Sequence, residues 1–305
     1  MTLAPLPEDF RRRVVGAFGA AGAAWLQRLP SVLDDVTSRW GITLMDPFED
    51  MAYNFVAPAT RIDGTEVVLK VGVPERELLT ETAALRAFDG CGAARLLDAA
   101  PELGALLLER LQPGQPVLGL RDDESATAVA IEVMRRLWRP APRDAIFPLV
   151  QDWAGGLGRL RERFEGGTGP FPKRLIETAE GLFRELLRSM NETVLLHGDL
   201  HHWNILSAER EPWLAIDPKG VIGDPAYEVG AWLRNPFPEI LTMARPREMI
   251  ARRLDRLAVG LRFDRDRLRS WGVAQAVLSA WWSYEDGDED WRAGLTCAEL
   301  IMMAR

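Results

Sequence analysis

The rhythm of apolar and polar positions changes near residue 112. Upstream, after an N-terminal helical stretch, short apolar runs at 42–45, 54–57 and 66–71 stand between turn pairs such as Asp46-Pro47 and Asp63-Gly64. Runs of that length between turn signals predict strands, and the last two, joined by a polar turn, predict a hairpin. A helix is predicted over 74–88, where Leu78, Ala84, Leu85 and Phe88 share one side. Residues 105–108 read as a buried strand, which Gln112-Pro113-Gly114 interrupts.

Downstream the period lengthens. Helices are predicted over 123–138, 149–164 and 174–188, the first with a stripe at Ala130, Val133, Met134 and Leu137. Ile250, Leu254, Leu257 and Leu261 recur on one helical face, and the arginines on the other faces predict a solvated surface. Only two short strands, 193–196 and 213–216, interrupt the helices. The pattern therefore predicts an α+β chain: a sheet-bearing N-terminal lobe over 1–111 and a mainly helical C-terminal lobe over 112–305.

A chain of 305 residues can give each lobe its own core. With 37 Lys and Arg against 45 Asp and Glu, the formal charge is −8, which argues against a nucleic-acid partner. Cys91 and Cys297 lie far apart with no metal-ligand spacing, so a reducing cytoplasm is expected. Arg11-Arg12-Arg13 and the apolar run 14–26 imitate a secretion signal. The run is too short to span a bilayer and acidic Glu8 and Asp9 precede it, so a buried helix is expected, with no membrane partner.

Chemistry concentrates in Leu196-His197-Gly198-Asp199-Leu200-His201-His202-Trp203-Asn204-Ile205-Leu206. The order H-x-D-L-x-x-x-N is that of a kinase catalytic loop, in which Asp takes the acceptor hydroxyl's proton and Asn holds magnesium. Asp199 is the candidate catalytic base and Asn204 a candidate metal ligand. Asp217 ends the apolar stretch Trp213-Leu214-Ala215-Ile216, where a carboxylate can bind magnesium bridging two phosphates, so it is the second candidate ligand. The chain's three histidines crowd into this loop, but neighbours cannot readily chelate one ion. His197 is expected to hold the loop through hydrogen bonds. His201 and His202 are open to a structural or a substrate role.

Residues 197–236, with Ile216-Asp217-Pro218-Lys219-Gly220 and Gly223-Asp224-Pro225-Ala226-Tyr227-Glu228, resemble the aminoglycoside/hydroxyurea antibiotic-resistance kinase family, the group containing streptomycin 6-phosphotransferases. Ala24-Trp25-Leu26, Val68-Leu69-Lys70-Val71 and the stretch from Leu106 to Gly114 extend the resemblance over most of the chain. It implies a bilobal protein-kinase-like fold and the use of ATP and Mg2+. It implies further that Lys70 contacts the α- and β-phosphates, that a glutamate on the next helix orients it, and that the backbone of Glu109 and Leu111 binds adenine. Glu77 and Glu81 share a helical face, and Glu81 is favoured. An acidic residue near Asp224-Pro225 would brace the catalytic loop. Structural bracing is favoured for Asp224 itself, which is also expected to cap a helix.

Two positions depart from the resembled pattern. The stretch Phe48-Glu49-Asp50-Met51-Ala52-Tyr53-Asn54 has no glycine where kinases cover the phosphates, and Trp203 is bulky where a small residue is expected. The expected reaction is phosphorylation of a hydroxyl on a small polar acceptor, an aminoglycoside such as streptomycin. A metabolic small-molecule kinase and a non-catalytic nucleotide-binding module are the alternatives. Five carboxylates, Glu285, Asp286, Asp288, Glu289 and Asp290, read either as an attractor for a cationic acceptor or as a solvated helix start.

Overall fold

The chain enters through α1 (Glu8–Trp40), which buries Phe10, Val14, Trp25, Leu29, Leu33 and Val36 and ends where Gly41 turns left-handed. Within 14–26 only Val14, Gly22 and Trp25 are buried, and Gly19 breaks the helical backbone, so this stretch is a kinked helix with one covered face rather than a fully buried one. The computed structural model describes residues 6–49, 51–142 and 146–305. Among them no helix is long and apolar enough to cross a membrane. Contacts divide the chain into two units, Met1–Gly90 with Ala94–Gln112, and Cys91–Ala93 with Pro113–Arg305.

The first unit is built on an antiparallel sheet of β1 (Ile42–Leu44), β2 (Phe55–Arg61), β3 (Glu66–Val71), β4 (Leu96–Ala100) and β5 (Ala105–Glu109), in the order β1-β2-β3-β5-β4. The predicted hairpin is β2–β3, with Phe55 opposite Val71 and Lys70 opposite Val56. Side chains alternate across a strand. Val67, Leu69 and Val71 therefore join the core beneath α1, and Val68 and Lys70 face the other way. That second face is covered by α2 (Arg76–Phe88), through Leu78 and Leu85. Strand β2 runs on past its expected end through Pro58, whose carbonyl accepts from Met45 N–H at 2.9 Å. Strand β4 is unpredicted, and a register shift interrupts its pairing with β5.

The second unit is mainly helical: α3 (Asp123–Leu137), α4 (Val150–Ala154), α5 (Gly156–Arg163), α6 (Lys173–Arg188), α7 (Val229–Arg234), α8 (Pro246–Leu261), α9 (Arg265–Glu285) and α10 (Trp291–Met303). The single helix predicted over 149–164 is two helices, split at Gly155. Helix α9 runs through the middle, packed on α6, α7 and α10 and burying Trp271, Ala274, Val277, Leu278 and Trp281. Short strands β6 (Pro113–Pro116), β8 (Ile205–Ala208) and β9 (Trp213–Ala215) form one sheet, and β7 (Val194–Leu196) pairs with β10 (Val221–Gly223). Two functional loops hang from these strands: 197–204 between β7 and β8, and 216–220 between β9 and β10.

On α8 the stripe Ile250, Leu254, Leu257 and Leu261 is buried as its spacing requires. Arg253 corrects the expectation of a solvated arginine face, because it is 1% exposed and paired with Asp123 of α3. Where α7 meets α9, a Cβ added to Gly230 would lie 2.1 Å from Gln275 Oε1 and 2.9 Å from Gln275 Cβ. Rotating the glutamine cannot relieve the second contact. Alanine gains about 1 kcal/mol over glycine in a helix, but overpacking costs about 1–3 kcal/mol. Gly230→Ala is thus expected to lower the denaturation midpoint despite its better helix propensity.

Candidate active site

The loop 197–204 is held from beneath by one carboxylate. Glu228, fully buried just before α7, accepts hydrogen bonds from the backbone N–H of His197 at 2.7 Å and of Gly198 at 2.9 Å. Burial pushes its pKa up to about 7, against the pull of those two donors. Asp224, the residue favoured for bracing, serves elsewhere. It caps the short 3-10 turn before α7 through Ala226 N–H at 2.9 Å, and it ties that turn to α9 through Arg267 and Trp271 Nε1. The expected helix start is present as a 3-10 turn, Pro225–Glu228, that runs on into α7, and the contact with the catalytic loop is made four residues after Asp224, at Glu228.

Gly198 takes φ +89, and an added Cβ would meet Trp153 Cη2 at 2.8 Å. Both the left-handed backbone and the close indole require glycine here. His197 is buried, with its pKa pushed down to about 4 by that burial. The neutral ring donates from Nε2 to Ile216 O at 2.8 Å and accepts Asp199 N–H on Nδ1 at 3.3 Å. One imidazole thus joins the two functional loops, and its neighbours fix its tautomer.

Asp199 is three-quarters buried and its Oδ1 accepts from Arg234 at 2.9 Å, while His201 Nε2 lies 3.5 Å from Oδ2. Burial alone would raise its pKa, but His201, Arg234 and Lys219 outweigh it and hold the carboxyl well below the usual carboxylate range. Asn204 spends its amide nitrogen inside the loop, donating to Asp199 O at 3.0 Å, which leaves Oδ1 as its donor atom toward a cation. Its backbone carbonyl accepts Ile216 N–H at 3.0 Å, so the residue before Asp217 is fastened beside Asn204. Asp217 takes φ 59, a left-handed conformation that a short polar side chain tolerates.

Magnesium prefers oxygen ligands, one or two of them carboxylates, and completes its shell with phosphate and water. An amide oxygen and a carboxylate on adjoining loops fit such an ion. Among the described residues no cluster of three His, Cys, Asp or Glu side chains could hold a metal, so the site offers no all-protein cage. Of the two open histidines, His201 lies beside Asp199 and packs edge-on against Trp203 at 5.6 Å. His202 is buried away from them, stacked on Trp232 at 3.8 Å.

In the first unit, alternation on β3 delivers Lys70 to the α2 face. There Lys70 Nζ and Glu81 Oε1 meet at 2.7 Å, the two residues 3% and 6% exposed. Glu77, one turn earlier, is exposed. Glu109 N–H already donates to Arg95 O at 2.9 Å and cannot also donate to a ligand. Leu111 follows β5 as half-buried irregular backbone. Of the glycine-free stretch 48–54, Asp50 lies outside the described residues. Glu228, Arg234 and Arg253 are the site-forming residues that sequence reasoning passed over. Glu228 alone stood within a quoted motif.

A sheet-plus-helix unit, a helical unit and a loop of this constitution define a kinase-like phosphotransferase, and comparison with known proteins makes the assignment specific. The model of the aminoglycoside/hydroxyurea antibiotic resistance kinase family matches residues 45–287. A streptomycin 6-kinase of Streptomyces glaucescens is 33% identical over 287 residues, covering 93% of this chain and 92% of the relative. A hydroxyurea phosphotransferase of Kitasatospora aureofaciens is 36% identical over 272 residues, covering 88% and 77%. Among solved structures, the aminoglycoside phosphotransferase APH(4)-Ia in complex with ADP and hygromycin B superposes with a TM-score of 0.63 at 18% identity, covering 90% of this chain and 98% of that one. A choline kinase of Streptococcus pneumoniae gives 0.62 at 10% identity, covering 90% and 99%. These likenesses show the protein-kinase-like fold. The chain belongs to the aminoglycoside/hydroxyurea antibiotic resistance kinase family, and it is a phosphotransferase acting on a hydroxyl group.

The raised pKa of Glu228 carries a sign. Because the folded state holds its proton to about pH 7 and a free glutamate ionises near 4.5, the folded state binds more protons in that window. Stability is then present below 4.5 and is lost as pH rises toward 7. The full effect is on the order of 3 kcal/mol. Glu228→Gln removes this dependence, so thermal unfolding at pH 5 and pH 8 should show the parent losing more stability than the variant. Parallel losses would exclude the buried charge as its source.

Proposed function

We propose that this chain transfers the γ-phosphoryl group of ATP, with Mg2+, to a hydroxyl of an aminoglycoside such as streptomycin. The observation that carries the reading is the ionised Asp199, seated in one loop with Asn204, whose carbonyl fastens the strand end bearing Asp217. Two streptomycin 6-kinases match over more than nine-tenths of their length, at 33% and 32% identity, which supports the acceptor class.

Bound Mg2+-ATP would supply the phosphoryl group and shield its charge, with Asn204 Oδ1 and the Asp217 carboxylate as the protein's ligands. Lys70 would grip the α- and β-phosphates, held upright by Glu81. Glu109 and Leu111 would meet adenine through their backbone, Glu109 through its carbonyl since its N–H is engaged. Asp199 accepts the hydrogen bond of the acceptor hydroxyl and aims its oxygen. As the Pγ–O bond to ADP breaks and the new P–O bond forms, the Asp199 carboxylate takes the hydroxyl's proton late, since the loose transition state of phosphoryl transfer asks for placement before proton removal.

For the acceptor, the second unit offers a hollow of about 1020 Å3 whose lining includes the acids Glu162, Glu285, Asp288 and Glu289, the arginines Arg159, Arg163 and Arg292, and the rings of Trp281, Tyr284 and Trp291. Part of the acidic stretch thus lines a concavity with aromatic walls, a setting that suits guanidinium groups and already holds one, Arg292 over the Trp291 ring at 4.2 Å. Glu285 is already engaged, by two hydrogen bonds from Arg159 at 2.9 and 2.7 Å. A second reading, a small neutral hydroxylated acceptor such as hydroxyurea, is favoured by the 36% identical hydroxyurea phosphotransferase.

Incubation of the protein with ATP, Mg2+ and a panel containing streptomycin, other aminoglycosides and hydroxyurea decides between them by the compound that gains a phosphate mass. Modification of none would remove the proposal. On the responsive acceptor, Asp199→Asn should lower kcat by about 10² to 10⁴ and leave calorimetric Mg2+-ATP affinity nearly intact. Asp217→Ala should abolish that affinity, and the reverse pattern would exchange the two roles. The combined variant Asp288→Asn, Glu289→Gln, Asp290→Asn should raise KM for streptomycin roughly tenfold, at about 0.5 kcal/mol per exposed charge, without moving KM for ATP. An unchanged streptomycin KM would return the stretch to a solvated helix start.

A further inference from the structure

Behind the catalytic loop lies a buried cation that the phosphotransfer chemistry does not use. Arg253 of α8 spreads its guanidinium among three elements: α3, the end of α7 and the catalytic loop. Its Nε and Nη2 donate to Asp123 Oδ1 in the first turn of α3, at 2.8 and 2.5 Å. Nη1 donates to Trp232 O at 2.9 Å and to Asn235 O, at the C-terminal end of α7. Nη2 also reaches His202 Nε2 at 3.1 Å, inside the catalytic loop.

An arginine has no acceptor, so the imidazole nitrogen facing it must carry the lone pair. His202 is therefore neutral with its proton on Nδ1. That Nδ1 is buried with no hydrogen-bond partner. An unsatisfied buried N–H is unfavourable, and a phenyl ring in its place would keep the stacking on Trp232 without it. The feature a phenyl ring would lose is the acceptor at Nε2. The arrangement keeps the arginine contact at the expense of an orphaned donor, which points to a use for that contact beyond packing.

We propose that Arg253 and His202 form a strut that positions the catalytic loop: the guanidinium, fixed by Asp123 and two carbonyls, clamps the loop between Asp199 and Asn204. His202 lies three residues after the proposed base and two before the proposed metal ligand, so a shift there moves both. Arg253 and His202 are positioning residues, since neither contacts a reacting group. The catalytic part of this inference rests on the phosphotransfer reading above; the mechanical part does not.

The test uses two substitutions at His202 that spare the anchors of Arg253. His202→Phe keeps the stacked ring and removes the acceptor, and His202→Gln restores an acceptor oxygen near the Nε2 position. Phe should lower kcat by about 10- to 100-fold, as loss of an outer-shell partner does, with KM for the acceptor little changed, and Gln should recover most of the rate. Amide hydrogen exchange provides a readout independent of activity. The N–H groups of Asn204 and Ile216 should exchange faster in the Phe variant and at the parental rate in the Gln variant. Parental exchange in His202→Phe overturns the strut whatever the kinetics show. Faster exchange with undiminished kcat overturns its catalytic role. A parent without phosphotransfer defeats the functional reading instead, and the exchange comparison still decides the mechanical claim.

Discussion

The start of the catalytic loop depends on one buried carboxyl group. Glu228 is shut off from solvent, and its two backbone hydrogen bonds run to the residues that open the catalytic loop. Because those donors are main-chain, they fix the path of the loop and not merely a rotamer. From that path follow the left-handed turn at Gly198, the seat of Trp153 against it, and the position from which Asp199 projects. Asp224, four residues earlier, fastens the other side of the same turn to α9. The pair makes the segment 224–228 a rivet between the loop and the helical core.

Three charges around the loop are paired across elements. Asp199 has Arg234, Arg253 has Asp123, and Asp224 has Arg267. Such pairs add little net stability, but removal of one member leaves a poorly solvated charge behind, which costs about 3–5 kcal/mol when the pair is buried. The array is thus better suited to holding a geometry than to strengthening the fold. His197, kept neutral by burial, can bridge the two loops without adding a charge of its own.

How much of this was legible beforehand depends on the range of the interaction. The spacing of Ile250, Leu254, Leu257 and Leu261 set the buried side of α8, because it is a property of nearby residues. Lys70, by contrast, was singled out by the resemblance and not by the alternation along β3 that delivers it to α2. The loop 197–204 was legible because its chemistry is compressed into eight positions. Glu228, Arg234 and Arg253 were not, since their partners lie 30, 35 and 130 residues away in the chain. An arginine on the polar side of an amphipathic helix looks alike whether water or a distant aspartate receives it. Strands β8 and β10 were missed where the equally short β7 and β9 were not, because Ser207 and Gly223 break their apolar runs while Val194–Leu196 and Trp213–Ala215 are apolar throughout.

Three arginines stand among the four acids that line the hollow, and the two hydrogen bonds between Arg159 and Glu285 make it something other than an open negative well. A ligand cation arriving at Glu285 meets a resident guanidinium of the same kind, and binding there is an ion exchange rather than a capture. A single ammonium gains almost nothing by such a swap. A polycation rigid enough to present several charges at once can displace the resident at one point and collect the remaining carboxylates at others. Selectivity of that kind grows with the number and spacing of charges on the ligand, so abundant small cations would be turned away by the arginines already in place.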